Sequence, residues 1–221
     1  LGALIDLGAP ESDLQRLAQI VSEIYPTCSS LDVQVKDEFR SGFRCKFVDV
    51  RVTEEKRSLN VIQIKKSFSE ILDSLKINSK VRSLAEDSLQ TLIEAESRIH
   101  GIRSERVHFH EMASADTAID LIGVALLADN LQLLEKHDVI ATPLAVGGGK
   151  IKFSHGIVTN PGPAILDIAS KKSLILRGGP IENELTTPTG IALVANLAKR
   201  SLPIYPEIIP RSIGFGAGKK D

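Results

Sequence analysis

Residues 114–134 place the strongest constraint on how this chain can fold. They have the length of a helix and are apolar on nearly every side after Asp120. A helix without a polar face belongs in the middle of a protein, covered by other elements. Its longest apolar run, residues 121–128, is eight residues, against the roughly 20 that cross a bilayer, so the segment is expected to be core. No transmembrane segment is expected. The stretch before it has a different character: Val107-His108-Phe109-His110-Glu111 is followed by Asp116 and Asp120. The chain has only five histidines, and two of them stand here beside three carboxylates. Such groups at the head of a buried segment call for partners or a ligand.

The rest of the chain reads as interleaved helices and strands. Residues 1–8 and 10–24 suggest a helix, a break and a second helix, with Pro10 tolerated in a first turn. Residues 31–39 and 43–52 alternate around Arg40-Ser41-Gly42, which signals a hairpin. The alternation changes phase near Phe47, as a bulge or a change of buried face would make it. Residues 60–75 and 81–99 have helical periodicity, and 107–110 is short and extended. Residues 139–146 and 151–158 read as strands joined by Gly147-Gly148-Gly149. Residues 161–169 and 188–198 read as helices, and 174–176 and 207–213 as extended. Without a strict βαβ rhythm, the expected class is α/β (mixed α+β), with helices packed on a mixed sheet and a β-hairpin near the N-terminus.

Composition excludes several kinds of function. Lys+Arg 27 against Asp+Glu 28 gives a formal net charge of -1, so no global field attracts nucleic acid or an acidic membrane. Cys28 and Cys45 are too far apart for a CxxC pair and too few for a disulfide framework, so a reducing, cytoplasmic setting is expected. At 221 residues and 43% hydrophobic, the chain can build one large core or two smaller ones. It is expected to form a single domain over 1–221, with residues 26–105 (the hairpin and two helices) as a candidate sub-lobe. Leu1 opens inside an amphipathic pattern without an N-cap, and the glycine-rich end 211–221 leads nowhere, so the chain is expected to be a piece of a longer protein.

If 107–110 is a strand, His108 and His110 share a face. Imidazoles so placed can both ligate zinc, nickel, copper or iron; equally, one could be a hydrogen-bonded core residue and the other solvent-facing. Glu111 faces away in an ideal strand and joins them only if the backbone turns. Asp116 and Asp120, four apart, share a helix face. Asp116 has an ordinary explanation in the helix dipole, whereas Asp120 stands where burial of an unpartnered carboxylate is costly.

His155 alternates with Ile151 and Phe153 and by itself reads as a hydrogen-bonded core residue. The triple glycine, Gly148 at its centre, could admit a ligand to the backbone or turn a hairpin. It does not form a GxxxxGK[ST] loop. Nor does Gly214-Phe-Gly216-Ala-Gly218-Lys219 form a dinucleotide fingerprint, since Lys219 stands where glycine is required. Thr187 as N-cap and Pro188 in the first turn open a helix whose free N–H groups could hold a phosphate or carboxylate. A well-capped helix start explains those two residues but not Glu184, Thr186 or Thr189.

Several segments together resemble a known family. Glu94-Ala-Glu-Ser-Arg-Ile-His-Gly101, the His-Phe-His-Glu run with Ala115-Asp-Thr-Ala-Ile-Asp120, Pro143-Leu-Ala-Val-Gly-Gly-Gly149, Ser154-His-Gly156, Glu184-Leu-Thr-Thr-Pro-Thr-Gly190 and Ile213-Gly-Phe-Gly-Ala-Gly218 carry the resemblance. Leu1-Gly-Ala-Leu-Ile-Asp-Leu-Gly8 adds to it. The pattern is similar to the nickel insertion proteins of lactate racemase maturation, the nickel chelatases acting on pyridinium-3,5-bisthiocarboxylic acid mononucleotide.

That resemblance implies insertion of nickel into the nucleotide, making one nickel–carbon and two nickel–sulfur bonds, with CTP hydrolysis and manganese or magnesium. The family's glycine-rich start before Leu1 and its C-terminal CTP-associated region are absent, so CTP is expected to bind mainly elsewhere and this piece alone could be inactive. On this reading His108, His110 and Glu111 hold the metal, and Asp116 or Asp120 orients the imidazoles. His155 is a further ligand or a base, since an imidazole with a pKa near about 6.5 can accept the pyridinium proton. His155 and Glu184 are the catalytic candidates. Thr186, Thr187, Thr189, Gly190 and Gly148 would receive the nucleotide. A homo-oligomer and a lactate racemase-like recipient are compatible partners. A metal-dependent hydrolase and a non-catalytic nickel carrier are the alternatives.

Overall fold

The computed structural model describes residues 1–55, 59–106, 108–109, 114–135, 138–153 and 156–219. Two short turns of chain lead into its first substantial element: α1 spans Gly2–Asp6 and α2 spans Glu11–Ile24. Pro10 takes the N-cap of α2, and Glu11 and Asp13 add favourable charge to its first turn. Leu14, Leu17, Ala18 and Val21 form the buried stripe of α2, at the spacing that one helix face requires.

The hairpin is formed by β1 (Cys28–Arg40) and β2 (Phe43–Glu54). Its pairing is continuous from Ser30↔Thr53 to Arg40↔Phe43, and the one register shift lies between Cys28 and Ser30. No bulge therefore accompanies the phase change at Phe47. The ribbon exchanges its buried face instead: Leu31, Val33, Val35, Val48, Val50 and Val52 meet the helical core, whereas Cys45 is buried on the opposite face. A strand near the C-terminus, β11 (Gly216–Ala217), pairs parallel to β2, completing a mixed sheet. Asp6 helps tie these ends together, accepting from Phe215 N at 2.9 Å and Arg44 Nη2 at 2.8 Å. The Phe215 N–H is the main reason that its carboxyl titrates below the usual range.

The core is helical. A short strand β3 (Leu59–Asn60) leads into α3 (Val61–Leu75) and α4 (Ser79–His100). Asn60 and Gln63 make a capping box at the head of α3, and Asn78 caps α4 through Lys80 N and Val81 N. After a 3₁₀ turn at Ser104–Arg106, β4 (His108–Phe109) precedes α5 (Ala115–Asn130). As its composition predicts, α5 is the central helix: Ala115, Ile119, Leu121, Ile122, Ala125, Leu127 and Ala128 have no exposed surface. It packs against α2, α4 and α7 (Pro188–Leu197). Helix α6 (Pro163–Lys172) packs on α4 and α7, with Arg98 of α4 holding Asp167 of α6 at 2.8 Å. Among the described residues no helix is long and apolar enough to cross a membrane.

The remaining strands are short. They are β5 (Ile140–Ala141), β6 (Leu144–Gly147), β7 (Lys150–Phe153), β8 (Gly156–Thr159), β9 (Leu176–Gly178) and β10 (Arg200–Ser201). β6 pairs parallel with β9 and β5 parallel with β10, while β7 and β8 are antiparallel. Thus the triple glycine does not turn a hairpin between its two flanking strands. β6 finds its partner beyond α6, and β7 pairs with the chain that follows it. Residues 207–213 form no strand, and the pairing near the C-terminus belongs to β11. The class is α/β, with its helices on mixed sheets and the hairpin near the N-terminus.

Candidate functional site

The head of α5 gathers carboxylates from the end of β2 and from the helix itself. β4 pairs antiparallel with β3, placing Asn60 opposite His108 and Leu59 opposite Phe109. His110, Glu111 and His155 lie outside the described residues, as does the His108 side chain. α5 then begins at Ala115. Ser114 takes the N-cap position but makes no side-chain capping bond. The first N–H of the helix, Ala115 N, donates instead to Glu54 Oε1 at 2.9 Å, and Thr27 Oγ1 donates to the same oxygen at 3.0 Å. Glu54 is the last residue of β2. No local signal marked it in the sequence, because its partner lies 61 residues away.

Asp116 and Asp120 stand on this helix as their spacing predicts, Asp116 exposed and Asp120 half-buried. Asp120 makes no hydrogen bond among the described residues. Burial lifts its carboxyl pKa to about 6; Asp116 also pushes it up and Lys219 draws it down. Tyr25, at the end of α2, is buried, and burial followed by Glu54 and Asp116 holds its hydroxyl far above the ordinary tyrosine range. Burial and Glu54 likewise raise the Cys28 thiol. Carboxylate charge therefore dominates the surroundings of the α5 head, a field that favours a cation. Among the described residues no three His, Cys, Asp or Glu side chains gather as a metal-holding group.

The second candidate region lies at the head of α7. Thr187 is its N-cap, accepting from Gly190 N at 3.1 Å, and Pro188 occupies the first turn. Thr186 Oγ1 donates to Ala145 O at 2.7 Å, so this hydroxyl has a structural task joining the α7 approach to β6. Thr189 is half-buried. Glu184 forms an antiparallel bridge with Gly147, and Leu185 N donates to Val146 O. These bonds press the 183–186 segment onto the end of β6. Gly147 has φ +79, and a Cβ there would lie 1.8 Å from Asn183 O, so both conformation and space require glycine. Gly148 differs: a Cβ there would meet only Ile181 O, at 3.8 Å. Asn160, which sequence reading also missed, donates through Nδ2 to Val146 O and Asn183 O. Its Oδ1 is buried without a hydrogen-bond partner among the described residues.

The model of the nickel insertion protein family matches residues 1–221. The chain belongs to that family. Two relatives carry the name "Putative nickel insertion protein". One, from Methanothermobacter thermautotrophicus, is 34% identical over 225 residues, covering 100% of this chain and 52% of the relative. The other, from Rhodopirellula baltica, is 32% identical over 221 residues, covering 100% and 52%. A third, from Clostridium kluyveri, is named pyridinium-3,5-bisthiocarboxylic acid mononucleotide nickel insertion protein; it is 31% identical over 230 residues, covering 100% of this chain and 55% of the relative. The chain thus spans about half the length of these nickel insertion family members. No solved structure matches it.

Proposed function

We propose that this chain is the metal-handling part of a nickel chelatase that inserts nickel into pyridinium-3,5-bisthiocarboxylic acid mononucleotide, a metal–carbon and metal–sulfur bond-forming lyase. The observation that carries the proposal is the family match along the whole chain, supported by the name of the Clostridium kluyveri relative. The acidic head of α5, directly after β4, supports placing the metal there. His108, His110 and Glu111 would hold the incoming nickel, with Asp116 or Asp120 orienting the imidazoles. One nickel–carbon and two nickel–sulfur bonds form, and the pyridinium C–H proton leaves. His155 would accept that proton or ligate the metal, with Glu184 as the second catalytic candidate. The nucleotide phosphate would meet the start of α7, where Thr189 N–H is the first-turn donor not engaged by Thr187, with Thr186, Thr187, Gly190 and Gly148 around it.

CTP hydrolysis with manganese or magnesium belongs to the same proposal for the whole protein. The described residues gather no three metal-ligating side chains to seat such an ion. A cytoplasmic setting, a homo-oligomer and delivery of the product to a lactate racemase-like enzyme complete the reading. The test is to incubate full-length protein with the dithiocarboxylated nucleotide, nickel and CTP, and to look for the nickel-bearing nucleotide by mass. Its formation is expected. A protein that binds nickel stoichiometrically but leaves the nucleotide unchanged would be a carrier, and this proposal would fail.

A further inference from the structure

We infer that Glu54 is a positioning residue for the metal-binding segment, fixing where the stretch that carries His108, His110 and Glu111 rejoins the core. The inference rests on the nickel reading of that stretch. Two contacts made by one short piece of chain support it. At one end, Glu54 Oε1 takes the Ala115 N–H at 2.9 Å. At the other, β3 pairs Leu59 with Phe109 and Asn60 with His108. Glu54 and the Leu59–Asn60 strand therefore contact the chain at His108–Phe109 through backbone pairing and at Ala115 through a carboxylate.

The exit contact replaces a bond that could have been local. Ser114 is well suited to cap α5 with its own hydroxyl, yet its side chain makes no such bond. A local cap would stabilise the helix but leave its head free to shift relative to the hairpin. A carboxylate from the end of β2 couples the two, and Thr27 Oγ1 fixes that carboxylate in turn at 3.0 Å. The bond is charge-assisted and lies on the helix dipole, so it is stronger than a neutral cap. A site that combines ligands on this segment with orienting carboxylates on α5 depends on the distance between the two. Glu54 acts on that distance without touching the metal.

The experiment uses full-length protein as wild type, Glu54→Ala, Glu54→Gln and the core control Ile168→Ala. Three quantities are read: nickel affinity by calorimetry, metal-free amide exchange at Ala115, and the thermal midpoint. Glu54→Ala should weaken nickel binding by about tenfold or more, the usual effect of losing an orienting partner, and should speed exchange at Ala115. Glu54→Gln keeps an acceptor oxygen and should recover most of both. Ile168→Ala, at a site with no exposed surface on α6, should lower the midpoint while leaving nickel affinity alone. The inference is overturned if Glu54→Ala binds nickel like wild type, if Ala115 exchange is unchanged, or if Ile168→Ala weakens nickel equally. Failure of wild type to bind nickel would overturn the underlying reading as well, and is recognised because it precedes any comparison of variants.

Discussion

The heads of α5 and α7 are both helix starts preceded by polar residues, and they are built in opposite ways. α7 caps itself: Thr187 takes Gly190 N three residues on, and Pro188 sets the first turn. α5 is capped from a distance, its first N–H held by Glu54 across 61 residues, and it carries the half-buried Asp120 where a neutral residue would be less costly. A locally capped end is explained by stability alone. An end that depends on a remote carboxylate and retains a second, poorly solvated one spends stability on position and charge. Such sites are where function is to be sought.

The largest expected effect concerns what the α5 head is attached to. Leu121→Ala, at a position with no exposed surface, should cost about 2–5 kcal/mol in urea unfolding, the range for truncating a buried leucine. A cost below about 1 kcal/mol would mean that α5 is not the central helix, since only surface sites are so tolerant.

Next comes Asp120→Asn. A carboxyl raised to about 6 by burial binds its proton more tightly folded than unfolded. It contributes stability that is fully present below about pH 4, the unfolded pKa. That contribution is lost as pH rises through about 6. Wild type should therefore lose stability relative to Asp120→Asn between about pH 4 and pH 6.5, and the variant should be more stable at pH 8 by up to about 3 kcal/mol. Urea midpoints at pH 4.5, 6 and 8 measure the difference. A gap that does not change with pH would remove the charge cost that sets the α5 head apart.

The smallest effect lies on the other side of the comparison. Thr187→Ala should cost about 1 kcal/mol, as for an ordinary N-cap, read as a small fall in thermal midpoint. A much larger loss would show that α7 also carries more than its own cap.

What could be read from sequence follows the range of the interactions. α5 was legible because burial on all sides leaves a compositional trace, and the α7 start because Thr187-Pro188 acts within one turn. The hairpin was legible through its alternation, and its phase change marked a real exchange of faces. The triple glycine misled because β6 pairs with β9, a parallel partner beyond a helix that no local pattern announces. Glycine is needed at Gly147 because Asn183 O presses on it, a contact across the fold. Glu54 and Asn160 escaped for the same reason: each acts on residues distant in sequence. The pairing of His108 with metal chemistry came from residue type and family resemblance, and the structure adds the acidic, remotely held helix head that follows it.

The most direct measurement is nickel titration of full-length protein, comparing wild type, the double variant His108→Ala/His110→Ala, and Thr187→Ala. The α5 head as metal end predicts that the double variant loses nickel binding while Thr187→Ala binds like wild type. Undiminished binding by the double variant would contradict it.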